Sequence, residues 1–475
     1  MHFDSVLSRV VVEDLLEEPR RAVAASPGID LGAVCRHALA ARRRHAIRDA
    51  FLAVLLIGCG GYALYGLAGP MFGADGPGLF LATYLAILVL APLGWVVNFV
   101  EGYVTRWGPN ARSLRLRAFE DGQPPEPASE LRRGQLAHVD RFADGNVTVY
   151  RGYNPFVGQG WSVRAWSFAL DLTIAKQTGE PVVPFAVTEL YDFLEKRITD
   201  LDIGSLRVSR RLFVNGADVH SDTRFVPDPH GAPVGEVGAD LIGELIECPE
   251  DHARPYLAAQ IIGWDGELAW SAFLRARISD SSLFVEVNYC VLPPLWEMYQ
   301  EIDDLLLSPT MPQVSKLARH SLRRLPRTLR GCIPNSLNGL LAEQAFRRKM
   351  DRQEKELREK FTFDHGTEIS IREAASELRR VKGGLALGYH RHFQLLDEQM
   401  WTKTVEKRII DALAEFLTDH NIDSRELQSR AEQVSNTHVH IGGDATLMNS
   451  AIGGVSATVS LAAGAPSRRA SKKND

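Results

Sequence analysis

Hydrophobic and polar positions are most unevenly distributed between Ala50 and Val100, where Asp75 is the only charged residue. The uncharged runs on either side of Asp75 are each 25 residues long. A helix needs about 20 apolar residues to cross the hydrocarbon core of a bilayer. Lipid offers backbone amides no partner, so such runs must be helical there. The pattern therefore predicts a hairpin of two transmembrane helices over residues 50–100.

The charges that flank this hairpin predict its orientation. Five arginines and no acid lie between Arg36 and Arg48, and four arginines lie between Arg106 and Arg117, whereas the connecting loop carries only Asp75. Basic residues near span ends stay on the cytoplasmic side. We therefore expect a two-pass protein of the inner (plasma) membrane with both termini and most of the chain in the cytoplasm. A cleaved signal peptide does not fit, because a second apolar run follows at once; two buried core helices remain the alternative.

Beyond the membrane the pattern divides the chain into further segments. Residues 1–49 are expected to be a cytoplasmic helical segment ahead of the hairpin. Residues 101–130 form a juxtamembrane segment that ends in a proline-rich linker. Strand-forming runs follow at Val147–Tyr150, Val163–Leu172 and Leu206–Val214, the last ending in Asn215-Gly216, which is a hairpin signal. Between the second and third runs, Leu190, Leu194, Ile198 and Leu201 form an apolar stripe that predicts a helix. Residues 131–307 are therefore predicted to be an α+β domain rich in antiparallel strands.

The clearest strand prediction covers Tyr256–Leu292. Turn sequences at Asp265-Gly266 and Asp280-Ser281 divide it into a three-stranded antiparallel meander. A loop at 280–281 places Arg275 opposite Glu286 and Leu274 opposite Val287, so that charge meets charge on one face and apolar side chains meet on the other.

Helical spacing dominates after this meander. Apolar stripes predict a short helix over Trp296–Leu307 and longer helices over Ser336–Phe361 and Phe393–Thr418. The stripe of the last helix consists of Val405, Ile409, Leu413 and Phe416/Leu417. Residues 308–434 are thus expected to be a helical region. The tail, 435–475, is rich in Gly, Ala and Ser and is expected to be either disordered or oligomer-forming. The fold class is α+β: a transmembrane hairpin plus a cytoplasmic domain with an antiparallel sheet followed by helices.

A basic stretch inside the helical region is the strongest candidate contact surface. Between Val314 and Arg330, leucines and alanines make one helical face and cations crowd the other. In a domain tethered under a bilayer, this pattern is typical of a surface that contacts anionic lipid or a partner. A solvated basic face is the alternative, and Pro326 argues against one unbroken helix. The candidate contact residues are Lys316, Arg319, Arg323, Arg324, Arg327 and Arg330.

Two other motifs carry candidate chemistry. Gly158 and Gly160 could cradle a phosphate, but the third glycine or the lysine of phosphate fingerprints is missing, which favours a tight inter-strand loop with buried aromatic residues. The pairs His390/His392 and His438/His440 lack neighbouring ligands that would complete a tetrahedral metal site. No G-x-S-x-G elbow occurs. The sequence therefore predicts no catalytic residue, no metal ligand and no cofactor.

Composition adds two limits. The formal net charge of −5 gives no general reason to expect nucleic-acid binding, which needs a local basic surface. The five cysteines are odd in number and scattered, which fits reduced thiols facing the cytosol. The arginine-, alanine- and glycine-rich composition is typical of a high-GC bacterium.

Several strings resemble an uncharacterised family of actinobacterial two-span membrane proteins. They are the two early apolar runs, Gly152–Gly158 (GYNPFVG), Val163–Leu172 and Gly263–Phe273 (GWDGELAWSAF), with the glycine-rich tail. The resemblance implies that the whole layout is inherited as a unit. It implies no activity.

These observations favour a membrane-anchored interaction or scaffold protein and weigh against an enzyme. The expected partners are the lipid bilayer and its anionic headgroups, an unknown protein and further copies of the chain, but not nucleic acid. One alternative is a membrane-associated enzyme with a site near the 152–161 loop. A second is an oligomeric channel, which is disfavoured because neither span contains an ionisable residue, and permeation paths usually carry some.

Overall fold

The computed structural model describes residues 5–68, 78–108, 111, 114–115, 127, 129–177, 180–306, 308–359, 363–381 and 384–427. The predicted loop around Asp75, most of the proline-rich linker, His438, His440 and the tail lie outside these residues.

Two long apolar helices confirm the predicted pair in the N-terminal part of the chain. A short helix α1 (Ser5–Val11) continues into a π-helical turn, and α2 (Leu31–Ala68) and α3 (Leu79–Trp107) follow. Among the described residues, α2 and α3 are long and apolar enough to cross a membrane, and 22% and 17% of the residues in their most apolar windows are buried. Core helices of soluble proteins are mostly buried, so this exposure favours a lipid environment.

A six-stranded mixed sheet forms the centre of the remaining chain. Its spatial order is β1-β3-β4-β5-β6-β2. All neighbours are antiparallel except β1 and β3, which are parallel. This confirms the predicted α+β class and adds one parallel pair to the antiparallel sheet. The strands are β1 (Val147–Tyr150), β2 (Trp161–Asp171), β3 (Leu206–Asn215), β4 (Ala253–Gly263), β5 (Leu268–Ser279) and β6 (Ser282–Leu292).

The predicted meander and its register are confirmed. Asp265 (φ 54°), Gly266 (φ 88°) and Asp280 (φ 51°) adopt the left-handed conformations that tight turns need. Arg275 lies opposite Glu286 on the neighbouring strand. Local turn chemistry thus determines the pairing of β4, β5 and β6.

The hairpin predicted at Asn215-Gly216 is wrong. Asn215 N–H donates to His252 O (2.9 Å) and Gly216 N–H donates to Tyr150 O (2.9 Å), so this turn closes against its sheet neighbours instead of reversing the strand. The next strand in sequence, β4, begins only at Ala253. Strands β1 and β2 also lie on opposite edges of the sheet, and the segment between them crosses one sheet face.

Helices cover the other sheet face and bury the main core there. The fully buried Trp270 lies at its centre. The predicted apolar stripes Leu190/Leu194/Ile198 and Val405/Ile409/Leu413 are both buried in this core. The remaining helices and the small hairpin, in chain order, are α4 (Glu130–Ala143), α5 (Val187–Thr199), α6 (Ala239–Glu247), α7 (Met311–Glu359), α8 (Ile371–Ala374), β7 (Leu378–Val381), β8 (Gly384–Leu387) and α9 (His392–Asp419).

The long helix α7 corrects the prediction of a break at Pro326. It continues through Pro326 and Pro334 over 49 residues. A proline inside a helix costs about 3 kcal/mol because it removes one backbone hydrogen bond and crowds the preceding turn. Helix α7 packs against both α2 and α3, and tertiary packing of this kind overrides local propensity.

The helix predicted over Trp296–Leu307 is also wrong. Within residues 296–306, which the structure describes, the only helical turn is a 3-10 turn at Glu297–Tyr299. Leu295 forms a β-bridge with Ser376, and Trp296 N–H donates to Ala375 O (3.0 Å). These bonds to a distant segment hold the chain extended where the helix would start.

Candidate functional site

Helix α7 crosses α2 and α3 where the two long helices approach their polar ends. Leu317, Leu325 and Cys332 of α7 are buried in this contact. A Cβ at Gly94 of α3 would lie 3.0 Å from Leu325 Cδ1, and one at Gly102 would lie 2.9 Å from Leu317 Cδ1. Glycines allow helices to approach closely in membranes. The crossing therefore depends on the missing side chains of Gly94 and Gly102.

Polar side chains fix the same crossing. Trp95 Nε1 donates to Ala318 O (3.0 Å), and Asn98 Nδ2 donates to Thr328 Oγ1 (2.9 Å). At the other side of the crossing Asn335 Nδ2 donates to Asp49 Oδ2 (2.9 Å). Hydrogen bonds have direction, so they hold α7 in one register on the helix pair.

Buried charges lie beneath this crossing and are paired. Arg48 Nη2 is 2.7 Å from Asp49 Oδ1, and Arg48 Nη1 is 3.2 Å from Glu101 Oε2. His45 Nδ1 lies 2.8 Å from the other Glu101 oxygen. Buried charges need such partners, because an unpaired charge away from water is costly. Sequence reasoning treated Arg48 as a flanking charge and missed the pairing with Glu101, the first acid after the second apolar run.

The predicted contact residues lie on the outer side of α7. Five of them are exposed and define the basic face of α7: Lys316, Arg319, Arg323, Arg327 and Arg330. The sixth, Arg324, is partly buried and lines a cavity between the helices. Within the described part of the chain, no carboxylate forms an ion pair with any of the six. Large apolar side chains on the same helix are exposed as well: Leu322, Leu337, Leu340 and Leu341.

Two hollows adjoin the crossing. A polar cavity of about 20 Å³ lies between Arg48, Glu101, Arg106, His320 and Arg324, and has room for about one water molecule. An open apolar groove of about 360 Å³ runs along Pro92 and Trp95 of α3 and Ala318 and Leu322 of α7. The cavity is too small for an organic substrate, whereas the groove has the apolar lining that an acyl chain would contact.

The glycine loop, residues 151–160, holds a carboxylate of the same chain. Gly158 N–H and Gly160 N–H donate to Glu373 Oε1 at 2.8 and 2.9 Å. Both glycines have positive φ, 84° and 94°, which turns their N–H groups toward one point. Burial raises the pKa of Glu373 to about 7, although the two N–H groups favour its charged form.

Aromatic packing anchors the same loop on the sheet. Phe156 is buried, and its ring lies 5.0, 5.6 and 4.9 Å from the rings of Phe213, Tyr256 and Phe273. Phe156 is thus buried as predicted for a tight loop, whereas Tyr153 of the same loop is 92% exposed. The strands that it connects are not neighbours, because it crosses the sheet face from one edge to the other.

The predicted histidine pair His390/His392 does not share a site. His390 Nε2 lies 2.8 Å from Glu377 Oε2, whereas His392 is the first, exposed residue of α9. Glu377 precedes His390 by 13 positions and lies before the β7–β8 hairpin. Sequence reasoning missed this acid because the hairpin, not sequence proximity, brings the two side chains together.

Two further ionisable side chains are buried in the domain. Arg372 is fully buried, and its Nη2 donates to Glu267 O (2.7 Å) and Pro293 O (2.9 Å). Burial lowers the pKa of Arg372 to about 10. Burial also raises the pKa of Glu398 in α9 to about 7. Arg372 thus connects distant segments, and no signal in the local sequence indicates its partners, whereas Glu398 Oε1 accepts from Thr402 Oγ1 (3.1 Å) of the same helix.

Comparison with known proteins identifies one family. The sequence profile of the AbeC-like domain matches residues 165–449, well over half of the chain. The match starts inside β2 and includes α7 and α9, whereas α2 and α3 lie before it. No curated protein and no solved structure matches the chain. The chain belongs to the AbeC-like domain family.

Proposed function

We propose that this protein is a membrane-anchored interaction module. Helices α2 and α3 cross the inner membrane with both termini in the cytoplasm, and the basic face of α7 rests on the anionic headgroups of the inner leaflet. The observation that carries the proposal is this face: five exposed cations without carboxylate partners among the described residues, on a helix fixed across the apolar pair.

The expected energies support contact with lipid. Each lysine or arginine near an anionic membrane surface contributes about 1 kcal/mol, so five contribute about 5 kcal/mol. The attraction acts within a Debye length of about 10 Å. Exposed Leu322, Leu337 and Leu340 on the same helix add apolar contact at the interface. An interfacial helix would thereby hold the AbeC-like domain close to the membrane.

The alternatives have less support. An enzyme site at the 152–161 loop would need its N–H groups for a ligand, and Glu373 already accepts from both. For a channel, the ionisable groups His45, Arg48 and Glu101 contact one another instead of lining a path. Further copies of the chain or another protein are additional proposed partners. Co-purification from native membranes would identify them.

Hydrogen exchange of the full chain in lipid nanodiscs tests the lipid contact. We expect residues 311–341 to exchange more slowly when anionic lipid replaces neutral lipid, because headgroup contact shields α7. A variant with all five cations of the basic face replaced by Gln should lose this difference. The matched control replaces five exposed cations farther along α7, namely Arg347, Arg348, Arg352, Lys355 and Arg358. Equal protection of the parent protein in anionic and neutral lipid would overturn the proposal. The same holds if the control variant loses the lipid-dependent difference as fully as the basic-face variant does.

Cysteine labelling in intact cells tests the orientation separately. In a Cys248→Ser background, Gly73→Cys should react with a membrane-impermeant reagent and Ser129→Cys should not. The reverse pattern would place the domain outside the cytoplasm and rule out the proposed topology.

A further inference from the structure

We propose that Glu297, Glu377 and His390 form a binding site for a divalent transition-metal ion of the Zn²⁺ or Mn²⁺ class. One oxygen of each carboxylate and one imidazole nitrogen lie within 4.8 Å of one another. Bonds of about 2.0–2.2 Å place tetrahedral ligands about 3.4 Å apart, so small side-chain movements would close the set around an ion. One imidazole with two carboxylates is a donor set that both ions accept.

Backbone bonds bring the three ligand-bearing segments together without an ion. Glu377 N–H donates to Pro294 O (2.8 Å), just before the turn that carries Glu297. Gly388 N–H donates to Glu377 O (2.9 Å), just before His390. An ion would therefore bind a largely ordered site, and little of its binding free energy would be lost to ordering the chain.

Neighbouring side chains orient the ligands. Arg379 Nε donates to Glu377 Oε1 (3.0 Å), which leaves Oε2 facing His390. His390 N–H donates to the side chain of the fully buried Gln394 (3.0 Å). Such outer contacts fix ligand orientation in metal sites. The Glu297 carboxylate is exposed and forms no ion pair with any described residue, so it is available to an ion.

A second cluster of possible ligands in the same chain is already occupied by an arginine side chain. Ligand atoms of Asp222, Glu250 and His252 lie equally close. There Arg224 Nη2 donates to both carboxylates, at 2.6 and 2.7 Å. A metal ion would have to displace this guanidinium, whereas Arg379 contacts only one oxygen of the first cluster. We therefore place the ion at Glu377 and none at Asp222.

Ion binding requires a free lone pair on the imidazole of His390. The Nε2 atom that faces Glu377 must present a lone pair to the ion, so a proton at Nε2 either moves to Nδ1 or leaves to solvent. Three protein ligands leave one coordination position open to water or to an anionic ligand.

Titration calorimetry of the metal-free full chain in detergent tests the site, with Zn²⁺ and Mn²⁺ as the probes. A Cys248→Ser background removes an exposed thiol that could also bind zinc. We expect one ion per chain at micromolar concentrations, and at least about a tenfold loss of affinity in Glu297→Gln and in His390→Ala. His252→Ala, from the second cluster, is the control and should bind as the parent does.

Because Glu297 is exposed, Glu297→Gln should leave the fold intact and report on binding even if His390→Ala perturbs the fold. Circular dichroism checks the fold of both variants. Absence of binding, unchanged affinity in Glu297→Gln, or equal loss in His252→Ala would each overturn the assignment. The result is independent of lipid contact, because none of the three ligands lies on α7.

Discussion

Two regions of the molecule differ in where their large apolar side chains point. One region is the sheet domain, and the other is the helix pair α2 and α3 together with α7. Around the sheet they point inward, and Trp270, Phe273 and Leu283 are fully buried. Along α2 and α3 they point outward, and Phe51 and Val54 are 66% and 72% exposed. The contacts between α3 and α7 are instead made at glycines and through side-chain hydrogen bonds.

With α2 and α3 in the membrane as proposed, different forces stabilise the two regions. Water drives burial of apolar surface in the sheet domain, at about 25 cal/mol per Å². Lipid tails are as apolar as leucine, so helices within a membrane gain little from that effect and associate through close packing and hydrogen bonds. Substitutions should therefore follow different rules in the two regions.

Truncation of an aromatic side chain should give the largest contrast. Trp270→Ala should lower the free energy of unfolding by about 3–5 kcal/mol, because it opens a cavity and removes the indole that donates to Thr402 Oγ1 (2.8 Å). Phe51→Ala, on the exposed surface of α2, should change it by less than about 0.5 kcal/mol in detergent. Urea unfolding of the full chain, followed by circular dichroism, measures both. Similar losses would mean that α2 is packed like a soluble core helix.

The buried acid of α9 should make the sheet domain sensitive to pH. The pKa of Glu398 is about 7 in the folded protein against 4.5 in a free side chain, so the folded state retains this proton between those values. Its contribution to stability is complete below pH 4.5 and is lost as the pH rises through 7, up to about 3 kcal/mol. Unfolding of Glu398→Gln from pH 5 to 7.5 should show a flatter profile than the parent, whereas the exposed control Glu356→Gln should not. If the free energy of unfolding of the parent changed with pH in the same way as that of Glu398→Gln, the burial of Glu398 would be contradicted.

A larger side chain at Gly94 should weaken the packing of α7 on α3 without affecting the sheet domain. Gly94→Leu should force α7 off α3 at a cost of about 1–3 kcal/mol, since Leu325 occupies the space of the added side chain. Gly58→Leu is the control, because nothing lies within 4 Å of its Cβ position. Hydrogen exchange should show residues 311–335 less protected in the first variant, with the sheet unchanged. Equal protection in both would mean that α7 is held elsewhere.

The cross-strand pair should give the smallest effect. Arg275 Nη1 lies 3.3 Å from Glu286 Oε1, which also accepts from Tyr256 Oη (2.8 Å). A double-mutant cycle with Arg275→Gln and Glu286→Gln should give a coupling of about 0.2–1 kcal/mol. The neighbouring Arg277 lies opposite Phe284 and should show no coupling to Glu286. Stronger coupling to Arg277 would contradict the register.

Sequence patterns predicted the features that short-range chemistry determines. Two-residue turns determined the register of β4, β5 and β6, and periodicity predicted which side of α5 and α9 is buried. Helical spacing also placed Lys316, Arg319 and Arg323 on one exposed side of α7. In each case the interacting positions are close together in the chain.

The remaining features depend on contacts between distant segments. Helix α7 continues through Pro326 because α2 and α3 pack against it. Glu373 reaches Gly158 and Gly160 across more than 200 positions, and Glu377 meets His390 only through an intervening hairpin. No local pattern indicates such partners, so the sequence alone could not predict the occupied glycine loop or the Glu297–Glu377–His390 cluster.

The edge position of β2 has a consequence for synthesis on the ribosome. Its partner β6 emerges more than 100 residues later, so β2 leaves the exit tunnel long before it can pair. During that interval its row of free N–H and C=O groups is available to other chains. The meander of β4, β5 and β6 forms from neighbouring segments and can fold quickly. Slowing translation between residues 172 and 282 should therefore lengthen the period in which a nascent chain can aggregate through β2.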